Sequence, residues 1–407
     1  MLEVLGKLLE TPGSSQPERI ATFRGETVIF RQPDQIRFVL KDRRFVRADL
    51  LRLAFGDGIV TSEDKPGSER RKVLARQFGT PFVSRFFENS LEVFAEKLAA
   101  WPNGIEVDLA RECNRMTLEV ICRTAFGRPL GQDFKSIAGA IGLSVASIGP
   151  LSGLSVCESP GISPDFQGNL RKIAQAFDSF ALPLIRKARS SESKDDNILA
   201  ALAESSLSEQ EVRDEIVSLL VAGSETSALT LSWSLVELHH RPETYHALRR
   251  EAEAVLGSKP QFEKIGELVK TKAVVEETLR LHPPVWHMVR RASVDIDVLG
   301  VPIKAGTDVV VSPYLLHRDK ELWESPCSYL TERFLDRKAE REEAYMPFSS
   351  GHHICLGRKA ALVEVVVLLA LFCQQIEVEL LDQEFPVLLS STLRHKNPLR
   401  ARLTRLC

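Results

Sequence analysis

One stretch sets the scale of the fold. From Ser208 to His240 the chain reads as a single helix. Ser208 with Glu211 three residues on forms a capping box, and "RPE" at Arg241 to Glu243 closes the far end because proline cannot continue a helix. At about 1.5 Å per residue this helix is roughly 45 to 50 Å long, enough to cross a whole domain. Its centre, "LLVAGSETSALTLSW", is almost wholly apolar or small, so its middle is expected to be buried and other elements must cover it.

Most of the remaining chain also has helical spacing, as in "SRFFENSLEVFAEKLAAW", "CNRMTLEVICRTAFG" and "NLRKIAQAFDSFALPLIRKARSS". Two islands alternate as strands do. "RIATFRGETVIFRQ" turns at Gly25 like a short hairpin, and "SVDIDVLGVPIKAGTDVVVSP" forms a second β stretch near residue 300. No internal repeat or low-complexity tract divides the chain, and composition does not split it. Length alone would permit two or three domains of ordinary size.

Lys and Arg number 53 against 55 Asp and Glu, a net charge of -2, so nothing global points to a nucleic-acid partner. The seven cysteines form no CxxC pair, and their odd number leaves one unpaired in any disulfide scheme, which suits a reducing compartment. The N-terminal "MLEVLGKLLETPGSSQPERI" is too short and too charged for a signal peptide or membrane anchor. A cytoplasmic monomer is expected.

Chemistry concentrates in "PFSSGHHICLGRKAALVEVVVLLALFC", Pro347 to Cys373. Gly351 and Gly357 bracket Cys355 and let the backbone turn tightly and approach a flat ligand. From about Leu356 the run reads as a buried helix, placing Cys355 at a helix N-terminus where unpaired N–H groups favour a thiolate. On these residues alone Cys355 is a small core residue, a zinc ligand with His352 and His353, or a hydrolytic nucleophile. Zinc needs four convergent ligands and no partner pair is present; a nucleophile needs a base that local sequence does not identify.

"FSSGHHICLG", Phe348 to Gly357, resembles the haem-binding signature of the cytochrome P450 family: Phe, two residues, Gly, one residue, a basic residue, one residue, Cys, one residue, Gly. The resemblance implies the family's fold, mainly α with small β-sheets in a triangular prism, and haem between the long helix and the Cys-loop helix. It also implies a single domain over residues 1–407, with a small β-rich part mainly in 15–50 and 285–315 plus a C-terminal hairpin. It makes Cys355 the axial thiolate to the iron of haem b, iron protoporphyrin IX, a ligation that favours O–O cleavage. His353 then falls on the position that contacts a haem propionate, and His352 on a variable one.

Three further stretches extend the resemblance. "AGSETS", Ala222 to Ser227, is similar to the oxygen-activation motif, in which Ala222 and Gly223 leave space above the iron. A locally opened helix would let Glu225 and Thr226 pass protons. Found alone, such a sextet would be a packing notch with the Thr hydroxyl bonded to its own turn. Glu277 and Arg280 in "VVEETLRLHPPV" are three apart on one helix face and resemble the Glu-x-x-Arg pair, which Arg333 in "LTERFL" would join as a buried structural set. "RRASVD" resembles the strand that supplies a propionate arginine, and its register selects Arg290 over Arg291. "KPGSERRKVLARQF" offers Arg71 for the same task, while Gly67 stands where the family has an aromatic residue or His.

By the same resemblance the substrate pocket draws on Leu50 to Phe55, Leu219 and Ala222, Val285 to Val289 and Leu389 to Thr392. Leu219, Val285, Trp286, Met288, Val289 and Ser391 make it an apolar site for a terpenoid, fatty acyl or polyketide-like molecule. The chain has no ferredoxin cysteine set, flavin domain or GxGxxG, so electrons from NAD(P)H must come through a separate ferredoxin or flavodoxin with its reductase. Arg70, Lys72, Arg76, Arg358 and Lys359 are expected to gather as its docking patch. The implied activity is a haem-thiolate monooxygenase. A peroxide-using or rearranging haem-thiolate enzyme is the alternative within the fold, and a haem sensor or zinc-stabilised module the alternative outside it.

Overall fold

The structure, a computed structural model, describes residues 17–22, 25–48, 50–63, 69–148, 165–190, 196–336 and 343–406. Gly67 and residues 149–164 lie outside them.

The central helix runs unbroken over Glu209–His239. Ser208 Oγ accepts from the Glu211 amide at 3.2 Å while Glu211 Oε2 accepts from the Ser208 amide at 2.8 Å, so two orphan donors of the first turn are satisfied reciprocally. Pro242 opens the next helix, Pro242–Leu256. Among the described residues Glu209–His239 is the one helix long and apolar enough to cross a membrane, and 78% of its apolar window is buried in protein. Helix Leu109–Phe126 crosses it closely. A Cβ on Gly223 would stand 3.0 Å from the Ile121 side chain, and Thr117 Oγ1 donates to the Ser224 carbonyl at 2.9 Å across the crossing. Helices Phe166–Ser190, Val269–Leu281 and Arg358–Gln375 add to the cover, and Thr80–Ala100 packs on Leu109–Phe126 and Arg358–Gln375.

Four small sheets flank the helices. Strands β1 (Glu18–Thr22) and β2 (Gly25–Phe30) form the expected hairpin. They join β3 (Phe45–Arg47), β5 (Met288–Ala292) and β8 (Asp308–Val311) in the order β1-β2-β8-β5-β3. β4 (Ile105–Asp108), β9 (Ile376–Leu380) and β12 (Arg400–Arg405) make a three-stranded sheet that periodicity had not indicated. β6 (Ile296–Val298) pairs with β7 (Val301–Ile303), and the C-terminal hairpin is β10 (Val387–Leu389) with β11 (Leu393–His395).

A buried polar network ties helix Val269–Leu281 to the loop that carries Cys355. Glu277 and Arg280 are fully buried and bidentate, at 2.7 and 2.8 Å. Arg280 also donates to the carbonyls of His317, Pro326 and Ser328 at 2.6 to 2.8 Å, and the Leu330 amide donates to Glu277 at 2.7 Å. Arg333 Nε stands 3.5 Å from Glu277 Oε1 while its Nη2 donates to the Ser325 carbonyl, so it adds charge more than a hydrogen bond. His317 continues the network, its Nδ1–H donating to the Arg280 carbonyl and its Nε2 accepting from the Met346 amide, both at 3.0 Å. The Phe348 carbonyl, two residues further, accepts from the Cys355 amide at 3.1 Å. The position of the cysteine is thus fixed from the Glu277–Arg280 pair outward.

Candidate active site

The central helix, the Cys355 loop, β3 and β5 enclose a cavity with about 410 Å³ of room for water-sized molecules. Leu219, Ala222, Gly223, Glu225 and Thr226 line it on one side and Phe348, His353, Cys355 and Gly357 on another.

Cys355 precedes the Cys-loop helix by three residues, and its side chain is exposed to the cavity. Burial by surrounding protein raises its pKa, while the Gly357 and Arg358 amides directed at the sulfur oppose that rise. The loop's two glycines serve different ends. Gly351 has φ +70° and a Cβ there would stand 2.2 Å from the Leu40 carbonyl oxygen, so the position admits no other residue. A Cβ on Gly357 would meet only Phe78 at 3.8 Å and Cys355 Sγ at 4.0 Å, so here the protein leaves room that a flat ligand over the sulfur can use.

One end of the cavity is cationic. Arg47, Arg290 and His353 gather there, and Arg71 also lines the cavity. Arg47 and Arg290 are cross-strand partners on β3 and β5, which brings them to one place. Arg290 is buried, whereas Arg291 turns away to Asp308 at 2.7 and 3.1 Å, so the strand register separates the two as expected. Arg47 Nη2 donates to His353 Nδ1 at 3.0 Å, leaving the His353 proton on Nε2, 3.5 Å from Glu63. The Glu63 hydrogen bond favours the imidazolium, but burial and the cations of Arg47 and Arg290 outweigh it and lower the His353 pKa. His352 instead lies 3.4 Å from Arg43.

Three expectations require correction. The central helix is not opened at its motif: Thr226 Oγ1 donates to the Ala222 carbonyl at 2.7 Å, the ordinary return bond of a helical threonine. Ala222 and Gly223 both line the cavity, and a Cβ on Gly223 would crowd the Ile121 side chain at 3.0 Å. Trp286 does not line the cavity; it is fully buried, and its indole N–H donates to the Ser390 carbonyl at 2.7 Å, anchoring the C-terminal hairpin. Neighbouring His287 lines the cavity in its place, held neutral by burial with its pKa lowered to about 4. Arg70 is not part of a surface patch, being buried with Nε 2.9 Å from Glu215 of the central helix; Lys72, Arg76, Arg358 and Lys359 are exposed. Leu219, Val285, Met288, Val289 and Ser391 line the cavity as expected.

Sequence reasoning missed three polar residues. Arg47 had no local signal, because only its pairing with Arg290 brings it to the site. Arg394 of β11 donates from Nε to Glu225 at 2.6 Å, a contact between positions 169 apart in the chain. Glu364 did have a signal, as the lone acid in "AALVEVVVLLALFC". It is fully buried in the cavity wall, its two oxygens have no hydrogen-bond partner within 3.5 Å among the described residues, and burial raises its pKa to about 8 although Ser227 nearby opposes the shift.

Among the described residues no three His, Cys, Asp or Glu side chains converge as a metal ion would need, and His353 is engaged by Arg47 and Glu63 rather than by Cys355. The arrangement leaves a thiol facing a cavity, opposite an acid and an alcohol, with cations at one end. It can hold a flat, doubly anionic ligand through its edge and a metal at its centre through the sulfur.

Known proteins agree with this geometry. The cytochrome P450 family model matches residues 19–402. The chain is 28% identical to cyclooctat-9-en-7-ol 5-monooxygenase of Streptomyces melanosporofaciens, over 83% of this chain and 77% of that protein. It is also 28% identical to pentalenene oxygenase of Streptomyces avermitilis, over 91% and 86%. Carotene epsilon-monooxygenase of Arabidopsis thaliana is 29% identical, over 95% and 79%. Among solved structures, the haem domain of cytochrome P450DA superposes with a TM-score of 0.81 at 21% identity, covering 94% of this chain and 88% of that one. With thiol, helix motif, buried Glu-Arg pair and whole-length similarity in agreement, this chain belongs to the cytochrome P450 family.

Proposed function

We propose that this haem-thiolate monooxygenase oxidises a cyclic terpenoid, holding haem b through Cys355 and taking electrons from NAD(P)H by way of a ferredoxin or flavodoxin and its reductase. The observation that carries the reading is the cavity itself. Cys355 lines it together with Ala222, Glu225 and Thr226, Arg47, Arg290 and His353 gather at one place in its wall, Arg71 lines it as well, and apolar residues make up most of the wall. The terpenoid class is supported by the names of the bacterial relatives, which act on cyclooctatenol and pentalenene.

The residues fit haem. The four basic side chains suit its two propionates, Gly357 adds no side chain above the sulfur, and Phe348 packs under Arg358, whose guanidinium carbon is 5.4 Å from the ring centre. Bound through the thiolate, haem supplies dioxygen activation. The chain's own residues supply the rest. Leu219, Val285, Met288 and Val289 exclude water and orient an apolar substrate. The Thr226 hydroxyl, its proton given to the Ala222 carbonyl, presents its lone pairs to the cavity, and Glu225 beside it is the acid that exchanges protons with water there. Glu364 and Ser227 place a second, neutral carboxyl in the same wall. Exposed Lys72, Arg76, Arg358 and Lys359 suit an acidic electron donor.

The reduced protein under carbon monoxide should show the red-shifted Soret band of thiolate ligation, and Cys355→Ala should abolish it. Absence of the band from freshly loaded protein overturns the reading. Thr226→Ala should send more reducing equivalents to peroxide; unchanged coupling counts against its role and favours a peroxide-using or rearranging enzyme. A spin-state titration with pentalenene and with cyclic C20 alcohols tests the substrate class.

A further inference from the structure

Glu225 is held from outside its own helix. Its Oε1 accepts from Arg394 Nε at 2.6 Å, lies 2.5 Å from Arg394 Nη2, and accepts from the Thr392 hydroxyl at 3.1 Å. Arg394 Nε also reaches Thr392 Oγ1 at 3.1 Å, so the three side chains form one cluster. Two of them belong to the C-terminal hairpin, whose tip residues Ser391 and Thr392 line the cavity where a substrate would press. One residue beyond Arg394, His395 Nε2 lies 2.9 Å from Ser232 Oγ and its ring stacks on Trp233 at 3.9 Å. Glu225 and Ser232 are seven residues apart, about two turns, so the hairpin grips one stripe of the central helix at two levels.

The grip is asymmetric. Every contact to the Glu225 carboxylate falls on Oε1, and among the described residues none is made to Oε2. A charge-assisted pair on one oxygen fixes the plane of the carboxylate and leaves the other oxygen for the cavity. Thr392 is both a ligand of this cluster and a cavity wall residue, so a displacement of the hairpin tip moves the acid.

We propose that Arg394 is a positioning residue for Glu225, and that the C-terminal hairpin is a latch through which the occupant of the cavity sets how the acid faces it. This rests on the reading of Glu225 as the acid that exchanges protons in the cavity. It implies that substrates reaching Ser391 and Thr392 are oxidised with less loss of electrons than substrates too short to touch them.

The test uses haem-loaded protein whose carbon monoxide spectrum is that of thiolate ligation, in the wild type, Arg394→Met, Arg394→Lys, Glu225→Gln and the Met/Gln double variant. Hydrogen exchange of residues 387–396 is followed by mass spectrometry; it should quicken about threefold or more in Arg394→Met and in Glu225→Gln, no further in the double variant, and return toward wild type in Arg394→Lys. Peroxide formed per dioxygen consumed, with a reductase and no added organic molecule, should shift by about twofold or more, in the same direction and to the same extent, in both single variants and the double. Unchanged hairpin exchange in Arg394→Met overturns the latch. A peroxide yield altered by Glu225→Gln but not by Arg394→Met overturns the positioning role, and a yield insensitive to Glu225→Gln overturns the acid reading on which both stand. Loss of the thiolate spectrum in the wild type would instead remove the haem assignment itself.

Discussion

His317 should make this protein acid-labile in a way a single substitution can remove. It is fully buried, between Trp323 and Tyr345, with both ring nitrogens committed as a donor to the Arg280 carbonyl and an acceptor from the Met346 amide. Protonation of Nε2 would set two donors against each other. Burial lowers its pKa from 6.5 to about 3, with the Arg280 and Arg318 cations adding to the fall and the bond to the Arg280 carbonyl opposing it. The unfolded chain protonates this histidine below about pH 6.5 while the folded chain does not. The stability held by the neutral ring is therefore complete above pH 6.5 and lost as pH falls toward 3. At about 1.4 kcal/mol per unit, the full window is worth up to about 5 kcal/mol, and near pH 5 the slope is close to one proton. Urea unfolding of the haem-loaded chain, followed by circular dichroism from pH 4.5 to 7.5, measures it. His317→Asn and His317→Gln should each lose about 1 to 3 kcal/mol at pH 7 for the unmade hydrogen bond, yet their stability should fall less steeply below pH 6.5, by about 1.4 kcal/mol per pH unit. Parallel pH dependences in wild type and both variants would refute the reasoning.

Glu277→Gln and Arg280→Met should each cost about 3 to 5 kcal/mol, since either leaves a fully buried charge unpaired, and the double variant less than the sum of the two; urea midpoints of the set measure this. Glu364→Gln should stabilise the protein by an amount that is absent below pH 4.5 and grows to several kcal/mol by pH 8. A carboxyl with its folded pKa raised to about 8 opposes folding once the unfolded chain ionises it, and equal stabilisation at pH 4 and pH 8 would exclude that cause. Arg47→Leu should release haem to apomyoglobin roughly 10 to 100 times faster than the wild type, the loss of one charge-assisted contact, while Arg43→Leu near His352 should not.

The parts legible in the sequence are those whose cause is local. The central helix announces itself through Ser208, Glu211 and Pro242, the first hairpin through alternation about Gly25, and the Cys355 loop through a glycine that only φ +70° and the nearby Leu40 carbonyl explain. Glu277 and Arg280 share a helix face, so their pairing could be read, although the backbone carbonyls that complete the arginine shell could not. The residues that escaped act through partners far along the chain. Arg47 belongs to the site because β3 pairs with β5, and Arg394 because the C-terminal hairpin lies along the central helix. Trp286 was assigned to the pocket by position; its indole needed a hydrogen-bond partner once buried, and the Ser390 carbonyl that supplies it is 104 residues away.

These long-range contacts also explain why the helix motif need not be distorted to work. A helix opened at residues 222–226 would carry unpaired carbonyls in a buried wall, each costing on the order of 1 to 3 kcal/mol. Here the Ala222 carbonyl is satisfied by the Thr226 hydroxyl, the Ser224 carbonyl by Thr117, and the Leu220 carbonyl by Ser224 Oγ at 2.6 Å, so hydroxyls bonded to carbonyls cover this stretch from within and from the neighbouring helix. The acid is then aimed by Arg394 rather than by a break in its own backbone. A rigid helix with an externally oriented carboxylate separates two tasks, since the helix holds Ala222 in the cavity wall while the hairpin can move Glu225 without melting it. On that view Thr117→Gly should loosen the central helix and lower the urea midpoint without changing hairpin exchange, whereas Arg394→Met should quicken hairpin exchange.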